Sequence, residues 1–194
     1  MLTRITTFSV CILFSLCNLN AQETLFESME HDGQTRQYII YVPAIYEGSE
    51  AVPLMFNFHG YTGTANGQMI GTGMRPVADT AGFIIVYPQG SLFFGASHWN
   101  VGAWTNGSTV DDLGFTSAMI DAVASQFNID LDRVYSCGYS NGGYFSFELA
   151  CQLSNRFAAI GSVGGKMRSE TFEACDPDHP MPVVTIHGTD DNVV

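Results

Sequence analysis

The residues whose types and spacing most clearly suggest chemistry are a serine and two flanking glycines, Gly138, Ser140 and Gly142. An apolar run at residues 134–137 precedes them, and the spacing of apolar residues predicts a helix over about residues 141–153. A serine that projects its hydroxyl from a tight strand-to-helix turn needs glycines where the strand and the helix crowd together. We therefore predict Ser140 as a nucleophile; the alternative is a glycine-rich turn with an inert serine.

Attack of a serine on an ester carbonyl creates an oxyanion, which two preorganised N–H donors should face. One predicted donor is the backbone N–H of Asn141, directly after the nucleophile. The second is the backbone N–H of Tyr61, in the loop after an apolar run at residues 54–58, where Gly60 allows the turn. His59 is predicted to be structural, bonding within this loop. An ordinary strand-end turn is the alternative for the whole loop.

A late apolar strand at residues 183–186 is followed by two adjacent carboxylates. Where a nucleophile stands on this kind of turn, the partners follow in the order serine, carboxylate, histidine. Asp191 is the predicted acid and Asp190 the second choice, with a surface strand-end carboxylate as the alternative. The five histidines, His31, His59, His98, His179 and His187, all precede Asp191. The sequence therefore predicts a chain truncated at its C-terminus that lacks its base, at a cost on the order of a thousandfold in rate or more.

The composition limits the class of protein. The 194 residues are 46% hydrophobic and 13% charged, which is typical of one globular domain. The formal net charge of −12 argues against nucleic acid or an anionic membrane surface as partner, because both require clustered positive charge. No stretch after the N-terminal segment has the length of a membrane span.

The first 21 residues differ from the remainder of the chain. Arg4 is the only charged residue before an apolar stretch at residues 5–19, and the small Ala21 is placed for cleavage. We predict a signal peptide over residues 1–21 and one domain over residues 22–194, secreted or extracellular, with the periplasm or outer surface as alternatives. A buried N-terminal helix or strand is the competing interpretation. A lipoprotein site at Cys17 is a weaker one, because a bulky leucine precedes that cysteine.

The elements that must position these residues follow from hydrophobic patterning. Alternation at residues 24–30 and 37–42 around an Asp-Gly pair predicts an antiparallel hairpin at a sheet edge. Short, continuous apolar runs then predict parallel strands buried on both faces, at residues 54–58, 83–87, 134–137, 158–163 and 183–186. A helix containing Phe115 is capped by Asp111 or Asp112. Alternating strands and helices predict an α/β, doubly wound, mostly parallel sheet.

Several sequence blocks together resemble the polyhydroxybutyrate depolymerase / feruloyl esterase group of secreted α/β-hydrolases, of the carbohydrate esterase family one type. The resemblance covers roughly residues 25–194 and rests on the blocks at residues 59–61, 87–90, 110–115, 130–135, 138–143, 157–159 and 187–191. It implies an α/β-hydrolase fold, incomplete at its C-terminus, with Ser140 as nucleophile, Asp191 as acid, Tyr61 at the oxyanion hole, and a histidine beyond residue 194. It implies an ester substrate, feruloyl or acetyl esters of plant polysaccharide or a polyhydroxybutyrate-type polyester, and no cofactor or metal.

The resemblance also implies a disulfide between Cys151 and Cys175, with two free thiols as the alternative. Cys137, on the nucleophile strand, is predicted to pack in the core. Four residues in or just after the long loop at residues 89–109 have two interpretations each. Asp111 and Asp112 could line the pocket or cap the following helix. Trp99 and Trp104 could stack on an aromatic or sugar ring or pack the loop onto the domain. Trp99 and Asp111 are the predicted substrate-binding residues.

The sequence thus predicts a secreted serine esterase acting through an acyl-serine intermediate. The alternatives are an inactive fragment or non-catalytic binding domain on the same fold, and a peptidase of that fold. The acyl group and the oligomeric state are left open, because specificity depends on loops.

Overall fold

A computed structural model describes residues 22–194, so the predicted signal peptide lies outside the described residues. Seven strands form one sheet in the order β1-β2-β4-β3-β7-β8-β9. These strands are β1 (Glu23–His31), β2 (Gln34–Val42), β3 (Val52–Phe58), β4 (Ile84–Pro88), β7 (Ile129–Tyr139), β8 (Ala159–Val163) and β9 (Val183–Ile186). A separate hairpin pairs β5 (Ser91–Phe93) with β6 (Ala96–His98). Strands β3, β4, β7, β8 and β9 run parallel, which confirms the predicted mostly parallel sheet.

The predicted N-terminal hairpin is present at the edge of the sheet. Strands β1 and β2 pair antiparallel from Glu23 opposite Val42 to His31 opposite Gln34. The two turn residues, Asp32 and Gly33, have φ values of 48° and 71°. Positive φ at both positions gives the tight turn whose twist matches the flanking strands, which is why an Asp-Gly pair predicts it correctly.

Helices cover the sheet on both faces. They are α1 (Ala65–Gly71), α2 (Met74–Ala81), α3 (Asp112–Gln126), α4 (Asn141–Gln152) and α5 (Ser169–Glu173). One apolar cluster contains residues of α3 and α4 with the sheet residues they cover, such as Phe115, Phe145 and Phe56. A second cluster contains residues of α1 and α2 together with Ile39 and Ile85, which alternate with the residues of the first cluster and so lie on the opposite face of the sheet. This two-sided burial confirms the doubly wound architecture.

Strand β9 departs from the expected burial. Val183, Val184 and Ile186 are 45%, 65% and 61% exposed, so the prediction of a strand buried on both faces is wrong here. Strand β9 is the last strand in the sheet order, and it pairs with β8. Its apolar composition correctly predicted a strand, but burial depends on the neighbours that tertiary structure supplies.

No helix among residues 22–194 is long and apolar enough to cross a membrane.

The structure joins Cys151, in α4, to Cys175, just after α5, as the resemblance implied. Cys137 is a free thiol and is half-buried rather than enclosed in the core as predicted. Its apolar surroundings still raise the pKa of the thiol to about 12, which makes it a poor nucleophile at neutral pH.

His179 fastens the segment between α5 and β9 to the short 3₁₀ turn at Ser154–Arg156 that follows α4. Its Nε2 lies 3.0 Å from the carbonyl oxygen of Ser154 and 3.1 Å from that of Phe157, and its Nδ1 lies 3.1 Å from that of Pro180. Carbonyl oxygens only accept hydrogen bonds, so both ring nitrogens donate when the ring is an imidazolium. These contacts raise the pKa of His179 above its ordinary value.

The raised pKa predicts a stability that depends on pH. A group whose pKa is higher in the folded chain stabilises it fully below the unfolded pKa, and this contribution disappears as pH rises through the folded pKa. We expect the loss of unfolding free energy caused by His179→Gln to be largest near pH 5.5 and to shrink by pH 8.5. Urea unfolding of both proteins at the two pH values measures it. A difference that is constant or grows with pH would contradict the imidazolium assignment.

Candidate active site

Ser140 stands on a strained turn between β7 and α4. Its φ of 50° and ψ of −118° are unusual for a residue with a side chain, and such strain persists only where the surroundings enforce it. The N–H of Ser140 donates to the carbonyl oxygen of Val163 at 2.8 Å, and the carbonyl oxygen of Ser140 accepts from the N–H of Tyr144 at 3.0 Å. These two bonds anchor the turn to β8 and to the first turn of α4.

The glycines of the motif are required by close backbone approaches. A Cβ atom at Gly138 would lie 2.2 Å from the carbonyl oxygen of Gly142. A Cβ atom at Gly142 would lie 2.3 Å from the carbonyl oxygen of Phe58, at the end of β3. Both distances are far below van der Waals contact with backbone atoms that cannot move aside. The sequence prediction of a crowded strand-to-helix turn at Ser140 therefore agrees with the observed local geometry.

The loop after β3 lies directly against the nucleophile. An ideal Cβ built on Gly60 would be 3.4 Å from the Cβ of Ser140. Within residues 22–194, the backbone N–H groups of Tyr61 and Asn141 donate to no protein acceptor. Their neighbours do: the N–H of Thr62 donates to Ser97 and that of Gly63 donates to Gly60. Two unpaired donors beside a serine hydroxyl are suited to stabilise a negatively charged oxygen.

Asp191 lies in the loop after β9, at the same carboxyl edge of the sheet as Ser140. Its Oδ1 accepts from the N–H groups of Val193 at 2.9 Å and Val194 at 3.1 Å. These two N–H groups hold the pKa of Asp191 below its ordinary value. Its Oδ2 lies 3.6 Å from Nε2 of His187, beyond a good hydrogen bond. Asp191 is thus a persistently charged carboxylate with one oxygen available to a partner.

None of the five histidines hydrogen-bonds to Ser140, whose hydroxyl has no hydrogen-bond partner in the described part of the chain. His31 contacts Asp111, and His179 contacts backbone carbonyls. His98 contacts Ser91 and Ser108. His187 contacts the carbonyl oxygen of Val194, 3.2 Å away, within the Asp191 loop. The structure therefore brings together the predicted nucleophile and oxyanion donors, and it places no histidine in the position of a base.

Trp99 corrects one of the sequence predictions. The side chain is fully buried, so its ring has no face on which a substrate could stack. It packs edge-to-face against Phe58 and parallel to Phe145, with ring centroids 5.0 and 5.4 Å away. The alternative interpretation, a residue that packs the long loop onto the domain, is the one that fits.

Asp111 caps α3, where its side chain accepts from the N–H of Gly114 at 2.8 Å. The same carboxylate contacts Nε2 of His31 at 3.0 Å, which ties the β1–β2 turn to the helix. The capping alternative is therefore present, and substrate binding by Asp111 stays a prediction. Its half-exposed side chain is accessible from solvent.

A buried ion pair that was not predicted from the sequence supports the long loop. Nη2 of Arg36 lies 2.6 Å from Oδ1 of Asp112, and both side chains are almost fully buried. Oδ2 of Asp112 accepts from the N–H of Asn100 at 2.8 Å. The only available signal was Arg36 itself, a rare cation in a strand with an apolar inward face, because its partner lies 76 positions away.

A cavity of about 470 Å³ opens beside the nucleophile turn. Its wall includes Gly138, Tyr139 and Val163, together with Asn57, Thr72 and Met74 from the other side. Mostly apolar lining with a few polar groups is typical of small-molecule sites. Within residues 22–194, no group of three or more His, Cys, Asp or Glu side chains is arranged to hold a metal ion.

A family described as Esterase PHB depolymerase matches residues 36–193, which include the turn at Ser140 and the loops that contain Tyr61 and Asp191. The chain belongs to this esterase PHB depolymerase family. Among curated proteins, a bifunctional acetylxylan esterase/xylanase from Neocallimastix patriciarum is 30% identical over 172 residues, covering 89% of this chain and 24% of that protein. Feruloyl esterase B from Piromyces equi is 31% identical over 161 residues, covering 82% of this chain and 30% of that protein. The chain thus spans less than a third of either relative's length.

Solved esterase structures share the fold of this family member. A thermostable esterase superposes with a TM-score of 0.71 at 20% identity, covering 91% of this chain and 48% of the other. An acetyl xylan esterase from Aspergillus awamori superposes with a TM-score of 0.64 at 20% identity, covering 75% of this chain and 53% of the other. These similarities confirm the α/β-hydrolase fold.

Proposed function

We propose that this chain is the catalytic part of a secreted serine carboxylic-ester hydrolase that works through an acyl-serine intermediate. The observation that carries the proposal is Ser140 on its strained turn, with two unpaired backbone N–H groups beside it. Family membership and the esterase relatives support the same reaction class.

The geometry suits acyl transfer. The Ser140 oxygen attacks the ester carbonyl carbon, and the carbonyl oxygen becomes an oxyanion that accepts from the N–H groups of Tyr61 and Asn141. Collapse of this intermediate breaks the bond to the alcohol, which leaves with a proton and leaves the acyl group on Ser140. Water then attacks the acyl carbon, releasing the acid and restoring the hydroxyl. Asp191 orients and stabilises the residue that carries the proton between these steps.

No histidine in this sequence occupies the position of that proton carrier. His59, His98 and His179 have both ring nitrogens in contact with backbone or hydroxyl groups. His31 contacts Asp111, and His187 contacts the carbonyl of Val194 in the acid loop. We therefore assign the general base to none of them.

The proposed substrates are feruloyl or acetyl esters of plant polysaccharide, or a polyhydroxybutyrate-type polyester. The names of the relatives, acetylxylan esterase and feruloyl esterase, support the first class, and the name of the family supports the second. Hydrolysis of methyl ferulate, acetylated xylan and hydroxybutyrate oligomers, measured side by side, separates these classes.

Secretion is proposed from two features. Residues 1–21 have the pattern of a signal peptide, and the disulfide between Cys151 and Cys175 suits an oxidising compartment. Mass spectrometry of protein recovered outside the cell tests this. We expect its N-terminus to follow Ala21, and an intact Met1 on extracellular protein would refute the assigned cleavage.

Phosphonate labelling tests the nucleophile. We expect a fluorophosphonate probe to label the whole wild-type protein at Ser140 and to give no labelling of Ser140→Ala, because the probe reacts with an activated serine hydroxyl. Ser125→Ala is the matched control, since this serine bonds only within α3 and is exposed. Labelling that persists in Ser140→Ala would overturn the assignment. A wild-type protein that neither labels nor hydrolyses esters would favour the non-catalytic alternative.

A further inference from the structure

The two proposed oxyanion donors come from loops far apart in sequence, Tyr61 after β3 and Asn141 at the start of α4. An oxyanion hole works only if both N–H groups are held in place before the reaction, because the stabilisation comes from preorganised dipoles. Some residues must therefore hold the two donors relative to each other, an inference that rests on the proposed function of Ser140.

The direction of the Tyr61 N–H is set by the carbonyl of Gly60, which belongs to the same peptide group. In a planar trans peptide, the carbonyl of Gly60 and the N–H of Tyr61 point in opposite directions. The Gly60 oxygen accepts from Nδ1 of His59 at 2.7 Å and from the N–H of Gly63 at 2.9 Å. Two hydrogen bonds on the carbonyl therefore fix the direction of the N–H.

The contacts of His59 define its tautomer. Nδ1 faces the carbonyl oxygen of Gly60 and must donate, whereas Nε2 receives the N–H of Gly90 at 2.9 Å and must be unprotonated. Burial lowers the pKa of His59, which keeps the ring neutral. The structural role predicted for His59 from the sequence is thus to hold the carbonyl of Gly60 and the N–H of Gly90 through a neutral ring.

Trp99 contacts both sides of the site. Its indole Nε1 donates to the carbonyl oxygen of His59 at 2.9 Å, and its ring lies over the imidazole with centroids 4.9 Å apart. Its backbone N–H donates to Oδ1 of Asn141 at 2.7 Å, and its carbonyl oxygen accepts from Nδ2 of Asn141 at 3.1 Å. Trp99 and Asn141 are both fully buried, so water does not compete for these bonds.

We propose that Trp99 is a positioning residue that fixes the distance between the two oxyanion donors. Its backbone is clamped by the side chain of the residue that carries one donor, and its indole holds the loop that carries the other. Trp99 does not touch the substrate, because it is enclosed by Phe58, Phe145 and His59. Its loss therefore acts on the transition state, in which the oxyanion forms, and leaves ground-state binding intact.

The test is Trp99→Phe, which keeps an aromatic ring and removes the indole N–H. In the whole protein, we expect kcat for ester hydrolysis to fall by about tenfold to a hundredfold while KM stays within about threefold. We also expect the backbone amide NMR signals of both Tyr61 and Asn141 to shift. Trp104→Phe is the matched control: it removes the same group from a half-exposed ring that packs on Tyr144, and the Tyr61 signal should stay in place.

An unchanged kcat in a folded Trp99→Phe protein, or a rise in KM alone, would overturn the proposal. If the wild-type protein hydrolyses no ester, the proposed function fails, and the amide signals alone test the role of Trp99. Shifts of both the Tyr61 and the Asn141 signals in Trp99→Phe support that role, whereas a shift of one signal or of neither overturns it. If Trp99→Phe does not fold, hydrogen exchange of the wild-type indoles decides. Exchange at Trp99 much slower than at Trp104 supports the bond to His59, and equal exchange overturns it.

Discussion

Asp191→Asn is expected to lower kcat for ester hydrolysis by the whole protein by about 10⁴-fold, with little change in KM. The amide side chain has nearly the same shape, and its oxygen still accepts from the N–H groups of Val193 and Val194, so the loop should keep its conformation. The variant lacks the negative charge that stabilises a protonated base next to the nucleophile. The reaction therefore loses transition-state stabilisation and keeps its substrate binding.

The matched comparison is Asp190→Asn, which removes the neighbouring charge. The backbone carbonyl oxygen of Asp190 accepts a hydrogen bond from Nδ2 of Asn192 at 3.1 Å. We expect kcat of this variant within a few-fold of wild type; the reverse order of effects would make Asp190 the acid. Because backbone N–H groups keep the pKa of Asp191 low, this carboxylate should stay ionised at mildly acidic pH. Any loss of activity between neutral and mildly acidic pH should then reflect protonation of the general base and not of Asp191.

Asp112→Ala is expected to reduce the free energy of unfolding by about 3–5 kcal/mol. The substitution leaves the Arg36 guanidinium buried without its counter-charge, and it removes the acceptor for the N–H of Asn100. Burial raises the pKa of Asp112, and the Arg36 guanidinium 2.6 Å away opposes that rise and favours the charged carboxylate. Denaturant unfolding at neutral pH measures the difference.

A surface ion pair of the same length is the control. Nη2 of Arg156 lies 2.6 Å from Oδ1 of Asp121, whose side chain is 70% exposed. We expect Asp121→Ala to cost about 0–1 kcal/mol, since solvent screens such a pair. Similar losses for the two variants would show that burial of the Asp112 pair contributes nothing to its effect. Asp112→Asn, which keeps an acceptor for Asn100, should fall between the two.

The elements that the sequence predicted well are those governed by local rules. The β1–β2 turn requires positive φ at two adjacent residues, and an Asp-Gly pair supplies it. The nucleophile turn requires glycines on either side of Ser140, and the observed backbone approaches show why. The start of α3 was predicted at a capping carboxylate, Asp111 or Asp112, and the structure shows Asp111 in that role. The α1, α2 and α5 helices and the small β5–β6 hairpin were not predicted.

The sequence by itself determined the N-terminal hairpin, the strained turn at Ser140 and the position of the loop that contains Asp191, because each depends on residues that are neighbours in the chain. Tertiary structure alone decided the roles of Trp99 and Asp112. Trp99 meets His59 and Asn141 across 40 and 42 positions, and Asp112 meets Arg36 across 76. Burial and pairing over such distances depend on how the elements pack. An aromatic residue in a long loop therefore has the same sequence pattern whether it faces substrate or, as Trp99 does, packs inside the domain.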